Sequence, residues 1–399
     1  MKALPIIFLL TIACLFPVAK VQAQEEYIAP PSETLTVVPF SLVAESVVLI
    51  NGVLVGYPDT LTFILDTGSS GISLDSTTVS SLGLVPELSD INIRGIAGVR
   101  RAEFLYNMSL KLNGLVVDSL NFHVNNYEFL SYVYGKKIDG VIGYSLFSRY
   151  IIKINYDLNE VQICSQGAIK YPRGGYLLKP FIRTLPVLPA KVTDHRSVTS
   201  RYLFDIGAGM SLMFSRDFDQ DSAFIRKKRK RFPLQAHGVG GKLEMEMTLV
   251  RNFRLGPYRF RKVPAMVFDD EHNVTSYPYL GGLIGNQLLK RFNAIFNYEQ
   301  REIYLEPNTL YREPFYYSYS GMELYYIDGS VIIGSIISGS PADRSGLKVG
   351  DVVVAIDNVA NGDFVQYKRV LMMAKKRVKL IVSRGDELLE IPLKLHSLL

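Results

Sequence analysis

A chain of 399 residues with 48% hydrophobic content can bury more than one core, so two or three globular domains are expected. The formal net charge of +6 falls to +4 once Lys2 and Lys20 of an acid-free leader are set aside. So small an excess over this length argues against a nucleic-acid-binding protein.

The first 23 residues have the plan of a secretory signal: Met1-Lys2, an apolar run from Leu4 to Ala19, and Val21-Gln22-Ala23 at the cut. That run is too short to cross a bilayer comfortably, and no later stretch reaches the length needed. The mature chain is therefore expected to be exported, periplasmic or extracellular, with no stable membrane span. A second reading makes Cys14 a lipid-modified N-terminus. If Cys14 leaves with the leader, Cys164 stands alone and no intramolecular disulfide is possible.

From Leu35 onward the sequence is strand-like. Val47 to Ile50, broken at Asn51-Gly52 and resumed at Val53 to Val55, is expected to form a β-hairpin leading to the strand that carries Asp66. Short apolar runs between Gly and Asn turns follow, from Ile91 to Ile96 through Val161 to Ile163, with no long amphipathic helix. That is an all-β pattern.

Phe63-Ile64-Leu65-Asp66-Thr67-Gly68-Ser69 delivers one aspartate from an apolar strand into a turn of small residues. Tyr202-Leu203-Phe204-Asp205-Ile206-Gly207 repeats the plan. Two aspartates presented alike suggest a facing pair that shares one proton and activates one water. The repeat is wider than the turns. Gly140 to Tyr150 matches Gly282 to Phe292 at an offset of 142 residues, with Arg149 and Arg291 in step, and continues to Asn155-Tyr156 and Asn297-Tyr298. Between each aspartate and this segment lies a glycine-rich stretch, Gly95 to Gly98 and Gly238 to Gly241, read either as hairpin turns or as flaps closing over a cleft.

On Asp66-Thr67-Gly68-Ser69-Ser70, Val141-Ile142-Gly143, the Asp205 turn and Leu283-Ile284-Gly285, the chain resembles the bilobal aspartic proteases of the pepsin and retropepsin type, over about residues 35 to 310. The resemblance implies catalysis by Asp66 and Asp205, active-site turns at Thr67, Gly68 and Ser69 and at Ile206 and Gly207, and flaps at Gly95, Gly98, Gly238 and Gly241. It departs at Ile206, where the family carries Thr or Ser. There the hydroxyls of the two turns interlock beneath the aspartates, so half of the lock is expected to be missing.

The segment from Ser320 to Asp357, with its Ser340-Pro341-Ala342 and Gly350-Asp351 motifs, resembles the PDZ domains attached to exported bacterial proteases, over about 318 to 399. This implies capture of peptide C-termini by strand addition, with Ser320, Gly321, Met322, Glu323 and Leu324 as the carboxylate loop and Phe364 to Met373 as the flanking helix. The alternative is a module that only packs on the lobes. Phe315-Tyr316-Tyr317 is read as a packed linker.

The expected fold is mostly β: a signal peptide at 1–23, duplicated aspartic-protease-like β lobes at 24–175 and 176–312, and a small α+β PDZ-like domain at 318–399. The expected function is an exported aspartic endopeptidase acting on proteins or peptides, with no metal or cofactor. A catalytically impaired peptide-binding protein on the same fold is the alternative. Other chemistries find little support: His123, His195, His237, His272 and His396 have no metal-ligand spacing, Ser69 and Ser70 lack a His signature, and the absence of Trp disfavours a sugar-stacking site. The run Arg226 to Arg231 is read as a solvated loop, an anionic-surface contact or a processing site.

Overall fold

The computed structural model describes residues 29–399 except 96–97, 239–240, 272–274, 316, 318, 361, 374–375 and 399, with the backbone alone for the rest of 93–100 and 235–242. The leader, His272, Tyr316 and the middle of each glycine-rich stretch lie outside the described residues.

Each aspartate turn is pinned by one short central strand. In the first lobe Thr60–Leu65 runs parallel to Gly140–Ile142, and Ile72–Asp75 lies antiparallel on the same strand. In the second lobe Ser197–Asp205 runs parallel to Gly282–Gly285, with Asp205 opposite Gly285, and Leu212–Ser215 lies antiparallel. Both ends of each turn are thus hydrogen-bonded to the same partner. These strands are buried on both faces, which is why Phe63-Ile64-Leu65 reads as a continuous apolar run rather than an alternating one.

The lobes meet where Ile151–Asn155 pairs antiparallel with Phe292–Asn297. Lys153 is opposite Ile295, its own equivalent in the 142-residue repeat, so the pair lies on a local two-fold axis. One apolar core runs through both lobes. Phe296 of the second meets Phe147 of the first edge-on at 5.3 Å and Phe204 at 5.8 Å. Polar bridges sit beside it: Ser46 Oγ donates to the Gly209 carbonyl at 2.9 Å, and the Tyr156 hydroxyl bonds Asn286 Oδ1 at 2.9 Å.

The Asn51-Gly52 turn is corrected. Val47–Leu54 is one continuous strand, with Asn51 opposite Thr62 and Gly52 opposite Leu61. The glycine serves close packing instead: a Cβ there would lie 3.0 Å from the Leu112 side chain.

The third unit is a five-stranded antiparallel sheet with a separate core that includes Leu324, Ile333, Tyr367 and Leu380. Its two edge strands are Met322–Ile327 and Glu387–Lys394, and the first of them faces the lobes. Ser340 caps the helix Pro341–Arg344, and Arg384 grips Asp351 through Nε and Nη2, which accounts for two of the sequence motifs. Buried Arg291 anchors the chain entering this unit, donating to the Leu310, Glu313 and Pro314 carbonyls and lying 4.1 Å over the Phe315 ring.

Candidate active site

The turns bring Asp66 and Asp205 face to face. The Gly68 N–H donates to Asp66 Oδ1 at 2.6 Å, and the Gly207 and Ala208 N–H groups donate to Asp205 Oδ1 at 2.9 and 3.0 Å. Each turn glycine abuts the opposite carboxylate. A Cβ at Gly68 would lie 2.4 Å from Asp205 Oδ2, and one at Gly207 would lie 2.2 Å from Asp66 Cγ. Gly68→Ala or Gly207→Ala is therefore expected to force the carboxylates apart, seen as loss of their coupled titration in carboxyl NMR, in a protein whose circular dichroism is unchanged.

Ser69 pins the turn through its carbonyl, which accepts from the Tyr144 N–H at 3.0 Å. Thr67 is buried beneath the pair: its hydroxyl donates to the Phe204 carbonyl at 2.7 Å and accepts from the Ile206 N–H at 3.1 Å. One threonine thus satisfies two backbone groups of the other lobe. Ile206 has no hydroxyl to return; its side chain is 1% exposed and joins the common core.

Both aspartates are half-buried and share a hydrogen bond. Burial pushes the Asp66 carboxyl well above the usual carboxylate range, and the charge of Asp205 and the hydrogen bond to it push in the same direction. Asp205 is also raised, again by burial, but its bonds to Asp66 and to the Gly207 and Ala208 amides favour its ionised form. The arrangement is a carboxyl–carboxylate pair that holds one proton between the two groups.

Two tyrosines near this pair were not foreseen from sequence. Burial raises the Tyr134 hydroxyl to about 12 and lifts Tyr298 well above 10, and both feel the charges of Asp66 and Asp205. Tyr298 lies in the 142-residue repeat, opposite Tyr156 in sequence register, but nothing local marks it as near the dyad. Tyr134 ends the helix Glu128–Tyr134, which stops at Gly135 with φ 64°. A Gly after an aromatic-rich run was the available signal.

The same helix meets its neighbours on two sides. It touches the strand Phe232–Gly238 of the second glycine-rich hairpin. That hairpin closes with Gly238 opposite Gly241, as the first closes with Gly95 opposite Gly98. Phe129 also packs edge-on against Tyr325 at 5.2 Å, Lys368 Nζ bonds the Val133 carbonyl, and a Cβ on Gly135 would lie 2.3 Å from the Phe364 ring. Burial in this contact lowers the Lys368 ammonium to about 8.

Tyr325 belongs to the edge strand, and Phe364 and Lys368 to the helix Phe364–Leu371 that flanks it. Of the proposed carboxylate loop, Ser320 and Gly321 form a bend, whereas Met322, Glu323 and Leu324 lie in the edge strand. Met322 and Leu324 point into the small core, and Ser320 Oγ accepts from the Met322 N–H at 3.3 Å.

Comparison with known proteins agrees with this architecture. The family described as Aspartyl protease matches residues 47–146 and 188–288, one block per lobe, and the PDZ domain family matches 332–384. A stretch of 74 residues is 32% identical to the putative serine protease HhoA of Synechocystis sp., covering 18% of this chain and 18% of that protein. With one matched block around each aspartate turn and the two turns interlocked on a common axis, the chain belongs to the aspartyl protease family and carries a PDZ domain.

Proposed function

We propose that this chain is an aspartic endopeptidase that cleaves peptide bonds through Asp66, Asp205 and one water. The observation that carries the proposal is the mutual burial of each carboxylate against the other lobe's turn glycine, which leaves the two acids a shared proton. Asp205, ionised, takes a proton from the water as its oxygen attacks the peptide carbonyl carbon. Asp66 gives a hydrogen bond, then its proton, to the carbonyl oxygen; as the C–N bond breaks, the proton on Asp205 moves to the leaving amine and a hydroxyl of the tetrahedral intermediate returns a proton to Asp66, which restores the singly protonated pair. Ile206 does not disturb this geometry, because Asp205 is held by the Gly207 and Ala208 amides and the Ile206 N–H by Thr67. Export through the leader at 1–23 belongs to the same reading.

A peptide whose scissile carbonyl is replaced by a hydroxyl-bearing tetrahedral carbon tests the proposal. It is expected to bind at least about 100-fold more tightly than its amide parent, and Asp66→Asn should erase that preference. Equal binding of the two peptides would make the cleft a receptor without chemistry.

The PDZ domain is read as the recruiting module because its fold binds peptides by strand addition; the helix Glu128–Tyr134 is seated on its edge strand and flanking helix, so a captured peptide has to displace that contact. Removing residues 318–399 is expected to raise KM for protein substrates several-fold while leaving short peptides unaffected. Equal loss on both substrates would refute recruitment.

A further inference from the structure

Three strands of the second lobe, Pro186–Thr193, Gly241–Leu255 and Tyr258–Phe268, carry a cationic row to which peptide cleavage gives no role. Lys191 is directly opposite Arg254, and Arg254 directly opposite Arg259. Residues so paired in antiparallel strands share one face, and like charges there repel. Two residues along, Thr193, Asn252 and Arg261 form a second row on that face. The intervening Val192, Phe253 and Phe260 are buried, so both rows point outward. With Arg251 and Lys262 they line a concavity of about 590 Å³.

None of these six cations pairs with a carboxylate among the described residues. The basic run that stands out in the sequence behaves differently. Arg229 pairs with Asp194, and Arg231 pairs with Asp219 and Glu246, so two of its six charges are neutralised within the fold.

The row is also oriented. Arg259 donates from Nε and Nη2 to Asn252 Oδ1 at 3.2 and 3.1 Å, and Arg254 Nε donates to the Gly256 carbonyl at 2.9 Å. Among the described residues, both Arg254 Nη groups and Arg259 Nη1 remain available to a ligand. Guanidinium forks match phosphate oxygens bidentately, and three strands in register spread the charges over about 10 Å. Thr193 and Ser197, whose hydroxyls are 2.9 Å apart, add neutral donors at the same wall.

We propose that this concavity binds a phosphate-bearing anion, with Lys191, Arg254 and Arg259 sharing its phosphoryl groups, presented free in solution or as anionic lipid headgroups. The proposal does not depend on the dyad.

The test compares the full chain with two triple variants, Lys191→Ser/Arg254→Ser/Arg259→Ser in the row and Arg226→Ser/Lys227→Ser/Lys228→Ser in the basic run. Inorganic pyrophosphate is titrated calorimetrically, and vesicles of phosphatidylcholine with or without phosphatidylglycerol are used for co-sedimentation. The row variant is expected to lose at least about tenfold in affinity while the run variant stays within about twofold. Sedimentation with phosphatidylglycerol vesicles alone identifies the lipid source, and pyrophosphate binding without sedimentation identifies the free anion; either supports the site. Absence of binding to both probes, or equal loss in the two variants, overturns it. All six substituted side chains are exposed, and circular dichroism verifies that both variants fold.

Discussion

Thr67→Val is expected to loosen the two lobes and lower cleavage by at least about 100-fold. Valine fills the same space but removes the hydroxyl that serves the Phe204 carbonyl and the Ile206 N–H. Both groups would be left buried without partners, at about 1–3 kcal/mol each. Thr67→Ser keeps both bonds and loses one methyl, about 1 kcal/mol, so its cleavage rate should stay near that of the wild type. Ile206→Thr is the mirror experiment. Under the local two-fold a hydroxyl at 206 faces the Leu65 carbonyl, the equivalent of Phe204, so this variant should retain activity. Denaturant melts and kcat/KM on one peptide give both readings. A Thr67→Val protein as stable and active as Thr67→Ser would mean that the lock carries no energy.

Asp66→Asn is expected to move stability and activity in opposite directions. Both carboxyls have folded-state pKa values raised by burial, so between the unfolded value near 3.8 and the raised values the folded chain binds more protons than the unfolded one. The stability they contribute is complete below the unfolded value and is lost as pH rises through the folded ones. A neutral amide at 66 removes that loss. The variant should therefore melt higher than wild type at pH 7, by about 2–4 °C for each kcal/mol relieved, and should match it at pH 3. Its cleavage should be abolished. Unchanged melting at pH 7 would mean that the pair carries no uncompensated charge.

The aspartate turns, the duplication and the position of Ile206 were legible in the sequence, because the physics that fixes them is local. An apolar strand, a small-residue turn and a fixed-offset repeat leave marks within a few residues. Asn51-Gly52 misled for the complementary reason. Its composition is that of a turn, and only the approach of Leu112 from a distant strand explains a glycine in mid-strand. Tyr134 and Tyr298 were missed because their nearness to the dyad arises from tertiary closure. The cationic row was hidden in the same way. Lys191 is far in sequence from Arg254 and Arg259, whereas the contiguous run 226–231 drew notice although Asp194, Asp219 and Glu246 neutralise part of it.

The most direct test of the dyad is cleavage of an unfolded protein by the purified chain from pH 3 to 8, beside Asp66→Asn and Asp205→Asn. A coupled pair holding one proton predicts a bell-shaped profile for the wild type, with its limbs reporting the pair rather than either residue, and no cleavage by either variant. Cleavage that survives in either variant, or that is absent from the wild type at every pH, would contradict a working Asp66–Asp205 pair.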